Sequence, residues 1–239
     1  GINIPVGKDS MSMQSAWRAA DGEWRTVSPV SLIASAFAPV IDIEASLTPE
    51  LRTDEDTRLL LIDLGRGRQR LGGSILAQCH GALGDVPPDC ESAQDLADLF
   101  RAVQCLNDAG YLLAYHDVSD GGLAVTVAEM AFAGRCGVDL DITALAGDAL
   151  AALFAEEPGA VLQVRAADVA AVVDWCRAHT GLGDCLHDIG RPNGTRELRI
   201  LRAKAELYRA PLTTLLEHYS ATTHAMQRLR DNPRCADEE

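Results

Sequence analysis

Residues 111–134 read Tyr-Leu-Leu-Ala-Tyr-His-Asp-Val-Ser-Asp-Gly-Gly-Leu-Ala-Val-Thr-Val-Ala-Glu-Met-Ala-Phe-Ala-Gly, and no other stretch limits the possible folds so tightly. An apolar run, Leu112 to Tyr115, gives way to His116, Asp117, Val118, Ser119 and Asp120. Gly121 and Gly122 then open a segment with Leu123, Val127 and Met130 on one helical face, closed by Gly134. The change of period predicts a strand, a polar turn and a helix. A turn of this kind gathers free backbone N–H groups at the positive end of a helix dipole, which suits an anion. The carboxylates of Asp117 and Asp120 would repel a bare phosphate. With a divalent cation between them and the phosphate they attract it, because hard cations take oxygen ligands. The local chemistry points to a metal-bridged phosphate.

Around this stretch the chain alternates strands and helices. Arg58–Leu64 predicts a buried strand, followed by the turn Gly65-Arg66-Gly67. Ile75, Leu76 and Cys79 mark a short helical stretch after Leu71-Gly-Gly-Ser74, whose glycines read as close-packing positions. Ser92, with Asp95 in the capping-box position, starts a helix with Leu96, Leu99, Phe100, Val103 and Leu106 inward, ended by Gly110. Beyond the central unit, strands are expected at 138–142, 160–164, 184–189 and 197–201, and helices at 148–154 and 167–179. A last helix starts at Pro211, with Leu212, Leu215, Leu216, Tyr219, Met226 and Leu229 as its inner face. The pattern predicts an α/β (α+β) domain with a mixed sheet.

The first part of the chain differs. Asp21-Gly22 is a hairpin turn between Trp17 and Trp24, Val30–Val40 reads as an apolar strand, and 42–57 is acidic and linker-like. The expected organisation is therefore 1–45 as the end of one subdomain, 46–57 as linker and 58–239 as a second subdomain. A start at Gly1 without methionine reads as a fragment of a longer protein. Near that start, Lys8, Asp9, Ser10 and Ser12 form a compact polar turn. It lacks the Gly-x-x-x-x-Gly-Lys-Ser/Thr frame of a phosphate loop, so it reads either as a phosphate or metal contact or as an ordinary hairpin turn.

Composition removes several function classes. A net charge of −14 argues against a nucleic-acid surface. No apolar run approaches a membrane span and no signal peptide is visible. Seven cysteines without any Cys-x-x-Cys pair read as reduced thiols of a cytoplasmic protein. His116-Asp117 invites a metallohydrolase reading, but the other histidines have no supporting spacing. Ser119 as a nucleophile lacks an identifiable base. Glu156-Glu157 reads as a solvated turn pair.

Four motifs in one order carry a resemblance: Pro5-Val-Gly-Lys-Asp-Ser-Met-Ser-Met13, His116-Asp-Val-Ser-Asp-Gly-Gly-Leu123, Glu129-Met-Ala-Phe-Ala-Gly134 and Met226-Gln-Arg-Leu-Arg-Asp-Asn-Pro233. Together they resemble the long single-chain form of the phosphoribosylformylglycinamidine synthase family, in the C-terminal part of its second synthase-like repeat. The resemblance implies an aminoimidazole ribonucleotide synthase C-terminal-domain-like fold of α/β/α layers, preceded by the tail of a β-rich subdomain. It implies a purine-biosynthesis ligase that uses ATP, magnesium and glutamine to turn formylglycinamide ribonucleotide into formylglycinamidine ribonucleotide. Its partners would be ATP or ADP, the ribonucleotide and the rest of the parent chain, including a glutaminase domain.

By motif, Asp117 matches a magnesium ligand and Ser119 an ATP contact, while Lys8, Asp9, Ser10 and Ser12 match a turn touching nucleotide, metal and substrate. Departures from the family pattern fall at Asp9-Ser10-Met11-Ser12, Val118, Pro158 and the His218-Tyr219 pair. The isolated piece is expected to be inactive. Two alternatives remain open: a structural nucleotide-binding module of the same enzyme, and another ATP-using relative such as selenophosphate synthetase.

Overall fold

The computed structural model describes residues 3–7, 13–28 and 32–238. The chain divides into two compact units, Gly1–Ile43 and Glu44–Glu239. In the first, strands β1 (Gln14–Ala19) and β2 (Gly22–Val27) form the expected antiparallel hairpin. Its turn sets Trp17 directly opposite Trp24. The strand expected over Val30–Val40 does not form within its described part, residues 32–40. Leu32, Ile33 and Phe37 are exposed there. An apolar run becomes a strand only where an edge and a covering layer receive it, and an isolated two-stranded hairpin offers little of either.

The second unit is built on a seven-stranded sheet. In chain order its strands are β3 (Thr57–Asp63), β4 (Leu112–Asp117), β5 (Gly137–Asp141), β6 (Gly159–Arg165), β7 (Leu186–Asn193), β8 (Glu197–Arg202) and β9 (Ala205–Pro211). Their spatial order is β4-β6-β3-β7-β5-β8-β9. Only β5 and β8 run parallel, so the sheet is mixed, as expected. Helices α1 (Ile75–Cys79), α2 (Ala93–Asp108), α3 (Gly122–Gly134), α4 (Ala149–Phe154), α5 (Val169–His179), α6 (Leu212–Arg230) and α7 (Pro233–Glu238) complete the unit.

Strand alternation assigns the two faces of the sheet to two cores. On one face, Leu59, Leu61 and Val138 pack with Leu123, Val127 and Met130 of α3, Leu153 of α4 and Leu212 of α6. On the other, Leu60, Ile62 and Leu162 pack with Leu99 and Leu106 of α2 and Val172 and Cys176 of α5. The result is the α/β/α layering expected from the sequence. Residues 44–57 lie in this second unit, where Leu51 is buried and Gln163 exchanges hydrogen bonds with the Arg52 backbone at 2.9 and 2.7 Å.

Three local readings are corrected. Leu96 and Phe100 of α2 are exposed, because the buried stripe turns onto Leu99, Ala102 and Leu106. Asp95 spends its carboxylate on Arg66, at 2.9 Å, while its N–H donates to both Ser92 Oγ at 3.2 Å and the Ser92 carbonyl at 3.1 Å. In α6 only Leu212 is fully buried, and Met226 and Leu229 overhang into solvent.

The junction between β4 and α3 depends on glycine. Gly122 has a φ of +66°, and an added Cβ would lie 2.7 Å from the Ala155 carbonyl oxygen and 2.8 Å from that of Leu153. Gly122→Ala is expected to cost about 2 kcal/mol by urea denaturation, from left-handed strain plus this clash. Gly73, with a φ of +73° but open space around it, should cost only about 1 kcal/mol as alanine. Equal costs at the two positions would show that packing at Gly122 is unimportant.

Candidate functional site

Strand β4 is an edge of the sheet, and its last residue is Asp117. The register with β6 sets Asp117 against Ala160, and the next residue, Val118, donates its N–H to the Gly159 carbonyl at 3.0 Å. Residues 118–121 then turn into α3, with the Gly122 N–H closing on the Ser119 carbonyl at 2.9 Å. The Asp117 and Ser119 side chains are thus exposed two residues apart, between a strand end and a helix start.

Period-2 alternation puts Tyr115 and Asp117 on the same side of β4. The Tyr115 hydroxyl donates to Asp117 Oδ1. Burial, followed by this bond and the charge of Asp117, pushes the phenol above its ordinary pKa. The phenol therefore stays protonated and remains a donor. One carboxylate oxygen is thereby fixed while Oδ2 keeps its lone pairs for a ligand. Among the described residues, Ser119 Oγ and the Asp120 carboxylate make no hydrogen bond.

The opposite side of β4 carries His116. Its Nδ1 lies 2.8 Å from the Asp117 carbonyl, which also accepts from Thr126 Oγ1 at 3.3 Å. Its Nε2 lies 3.0 Å from Glu129 Oε2 on α3, and Glu129 Oε1 accepts the Tyr219 hydroxyl of α6 at 2.8 Å. His116 is committed to this network, which is a poor arrangement for a metallohydrolase ligand.

The turn before β6 braces the loop from below. Glu156 Oε1 accepts two backbone N–H groups at 2.8 Å, from Gly121 before α3 and from Ile75 at the start of α1. Glu157 is buried and paired with Arg70, whose Nε and Nη2 donate to its two oxygens at 2.8 and 2.7 Å. Burial pushes the Glu157 carboxyl up, but the Arg70 hydrogen bonds and charge outweigh it and hold the carboxyl below its usual range. The solvated turn pair expected from the sequence is thus corrected: both carboxylates are structural acceptors.

Among the described residues no three His, Cys, Asp or Glu side chains gather to hold a metal ion. A cage made of protein alone is therefore not what these residues form. The donor set fits a phosphate-bound magnesium, which keeps several waters and takes one or two carboxylates. Lys8, Asp9, Ser10 and Ser12 lie outside the described residues. Sequence reasoning missed Tyr115, Glu129, Glu156 and Tyr219 as parts of the site. Strand alternation could have found Tyr115; the others meet the loop only through tertiary contacts.

Residues 59–201, more than half of the chain, match the family described as AIR synthase related protein, C-terminal domain. The chain belongs to that family. Residues 1–39 match the FGAR-AT PurM_N-like domain. The AIR synthase C-terminal fold is also found among solved structures. The Thermotoga maritima PurL complexed with ATP is similar at 10% identity and a TM-score of 0.55, covering 81% of this chain and 28% of that one. The same protein complexed with FGAR gives 9% identity and a TM-score of 0.56, covering 72% and 30%. The Escherichia coli hydrogenase maturation protein HypE gives 24% identity and a TM-score of 0.50, covering 70% and 53%. The chain thus spans less than a third of the PurL chains it resembles. No described helix is long and apolar enough to cross a membrane.

Proposed function

We propose that this AIR synthase-type domain holds a magnesium nucleotide at the Asp117–Ser119 loop, as the C-terminal part of the second repeat of a long phosphoribosylformylglycinamidine synthase. In this reading residues 1–45 are the tail of the repeat's N-terminal subdomain and residues 58–239 its C-terminal subdomain. The observation that carries it is an exposed carboxylate, fixed through one oxygen by Tyr115, beside a Ser119 hydroxyl that makes no hydrogen bond among the described residues. The family match, the match of the first 39 residues and the similarity to a PurL complexed with ATP support it.

Asp117 would take the metal through Oδ2, and Ser119 would donate to a phosphate oxygen. Bound magnesium supplies neutralisation of phosphate charge, and the protein supplies position. Lys8, Asp9, Ser10 and Ser12 are proposed to complete the nucleotide and substrate contacts. The intact enzyme would convert formylglycinamide ribonucleotide with ATP and glutamine, its ammonia coming from a separate glutaminase domain. None of the described side chains at the loop is placed as a nucleophile or base, which favours a binding role for this half, catalytic or structural. The 239-residue chain alone is expected to form no formylglycinamidine product, and formation of any would refute that.

Tyr115→Phe tests the site directly. Losing the outer partner of a metal ligand typically costs 10–100-fold in affinity, so about tenfold weaker magnesium–ADP binding is expected at this site by calorimetry. Affinity in EDTA should not change. An unaltered magnesium–ADP affinity would remove Tyr115 from the site.

A further inference from the structure

The nucleotide reading leaves Glu129 of α3 and Tyr219 of α6 without a role. Yet both belong to a chain of contacts that ends on β4 beside Asp117. Tyr219 Oη donates to Glu129 Oε1 at 2.8 Å, Glu129 Oε2 lies 3.0 Å from His116 Nε2, and His116 Nδ1 lies 2.8 Å from the Asp117 carbonyl. Three elements are joined this way: α6, α3 and the end of β4. Glu129 takes part in two of the three contacts, and hydrogen bonds to a carboxylate are the kind that fixes orientation best.

The way α6 is seated gives the chain of contacts a direction. Its start is anchored, with Leu212 buried, Leu215 packed on the core and the Leu212 N–H on the Arg196 carbonyl at 3.0 Å. Tyr219 adds a ring contact with Phe132 at 5.6 Å between centroids. Beyond it the helix overhangs, with Met226 and Leu229 exposed, and is tied instead to α7 through Asp237, which pairs with Arg228 at 3.1 Å and His224 at 3.3 Å. Tyr219 therefore stands at the boundary between the seated half of α6 and the free half.

We infer that Glu129 and Tyr219 are positioning residues that couple the seating of α6 to magnesium–nucleotide binding at the Asp117 loop. The inference rests on the proposed nucleotide site and adds a means of regulating it. A displacement of α6 removes the Tyr219 hydroxyl from Glu129, frees Glu129 to swing from His116 and leaves the Asp117 carbonyl with Thr126 Oγ1 as its side-chain partner. By linkage, nucleotide binding must in turn hold α6 down.

The test uses the intact protein, magnesium–ADP and calorimetry. Tyr219→Phe is expected to weaken magnesium–ADP about threefold, and Glu129→Leu about tenfold, the usual range for a lost hydrogen bond and a lost charged one. Glu129→Gln, which keeps an oxygen and the side-chain shape, should fall between them. None should alter ADP affinity in EDTA. Hydrogen exchange should slow around Tyr219 when magnesium–ADP is added.

Unchanged magnesium–ADP affinity in Tyr219→Phe and Glu129→Leu overturns the coupling. Equal losses with magnesium and with EDTA, together with a lower melting temperature, assign both residues to packing and also overturn it. A wild-type protein that gains no ADP affinity from magnesium fails the nucleotide site itself, a result visible before any variant is made.

Discussion

Arg70→Met is expected to destabilise the protein by about 3–5 kcal/mol at pH 7, the usual cost of stripping one partner from a buried ion pair. The Arg70 guanidinium lies on both oxygens of Glu157 at 2.7 and 2.8 Å, and the Arg70 backbone N–H adds a third bond at 2.8 Å. The two side chains are only 11% and 6% exposed. Without the guanidinium, Glu157 is a buried carboxylate with too few donors, since among the described residues half-exposed Arg68 is the one other cation acting on it. Replacing both residues with apolar ones of similar volume should recover most of the loss.

The pH dependence gives this prediction a sign. In the native protein the Glu157 carboxyl is held below its usual range, so its contribution is present above the unfolded carboxylate pKa of about 4.3 and is lost as pH falls through the lower folded value. In Arg70→Met burial dominates and the folded pKa rises. That contribution is intact below about pH 4.3 and is lost as pH climbs through the raised value. The gap between wild type and variant should therefore be small near pH 4 and widest near neutrality, as read by urea denaturation. A gap that does not change with pH would mean that Glu157 is not the group left uncompensated. Because Glu156 holds the Gly121 N–H from the neighbouring position, the same variant should also loosen the loop above it.

Much of this domain can be read from its residues, and the failures have physical causes. The junction of β4 and α3 was legible because hydrophobic period changes across a glycine pair that only a tight turn needs. The mixed α/β character follows from strands and helices alternating, and the layering from the family resemblance. Strand β9 was missed: its residues are nearly all exposed, and its hairpin turns through Ala203 and Lys204, at φ of 50° and 68°, without the glycine that signals such a turn. The apolar stretch 30–40 reads as a strand because composition cannot tell whether an edge awaits it, and its described part, 32–40, forms none. At the site, the Asp117 and Asp120 carboxylates stand out beside a glycine-opened helix, and Ser119 through the family motif. Glu156 and Glu157 looked solvated, since their partners lie more than thirty and more than eighty residues away. Tyr219 lies ninety residues from Glu129, beyond the reach of any local pattern.

Asp117→Ala is the second large effect and the most direct test. Outer-shell losses cost 10–100-fold in metal affinity, so losing the ligand itself should weaken magnesium–nucleotide binding by about 100-fold or more. The fold should survive, because the Asp117 side chain is exposed and, among the described residues, its one side-chain bond is to Tyr115. Calorimetric titration of the intact protein with magnesium–ATP should show the site filled in wild type and lost from the stoichiometry in Asp117→Ala. Equal affinity and equal stoichiometry in the two proteins would contradict a magnesium-held nucleotide at this loop.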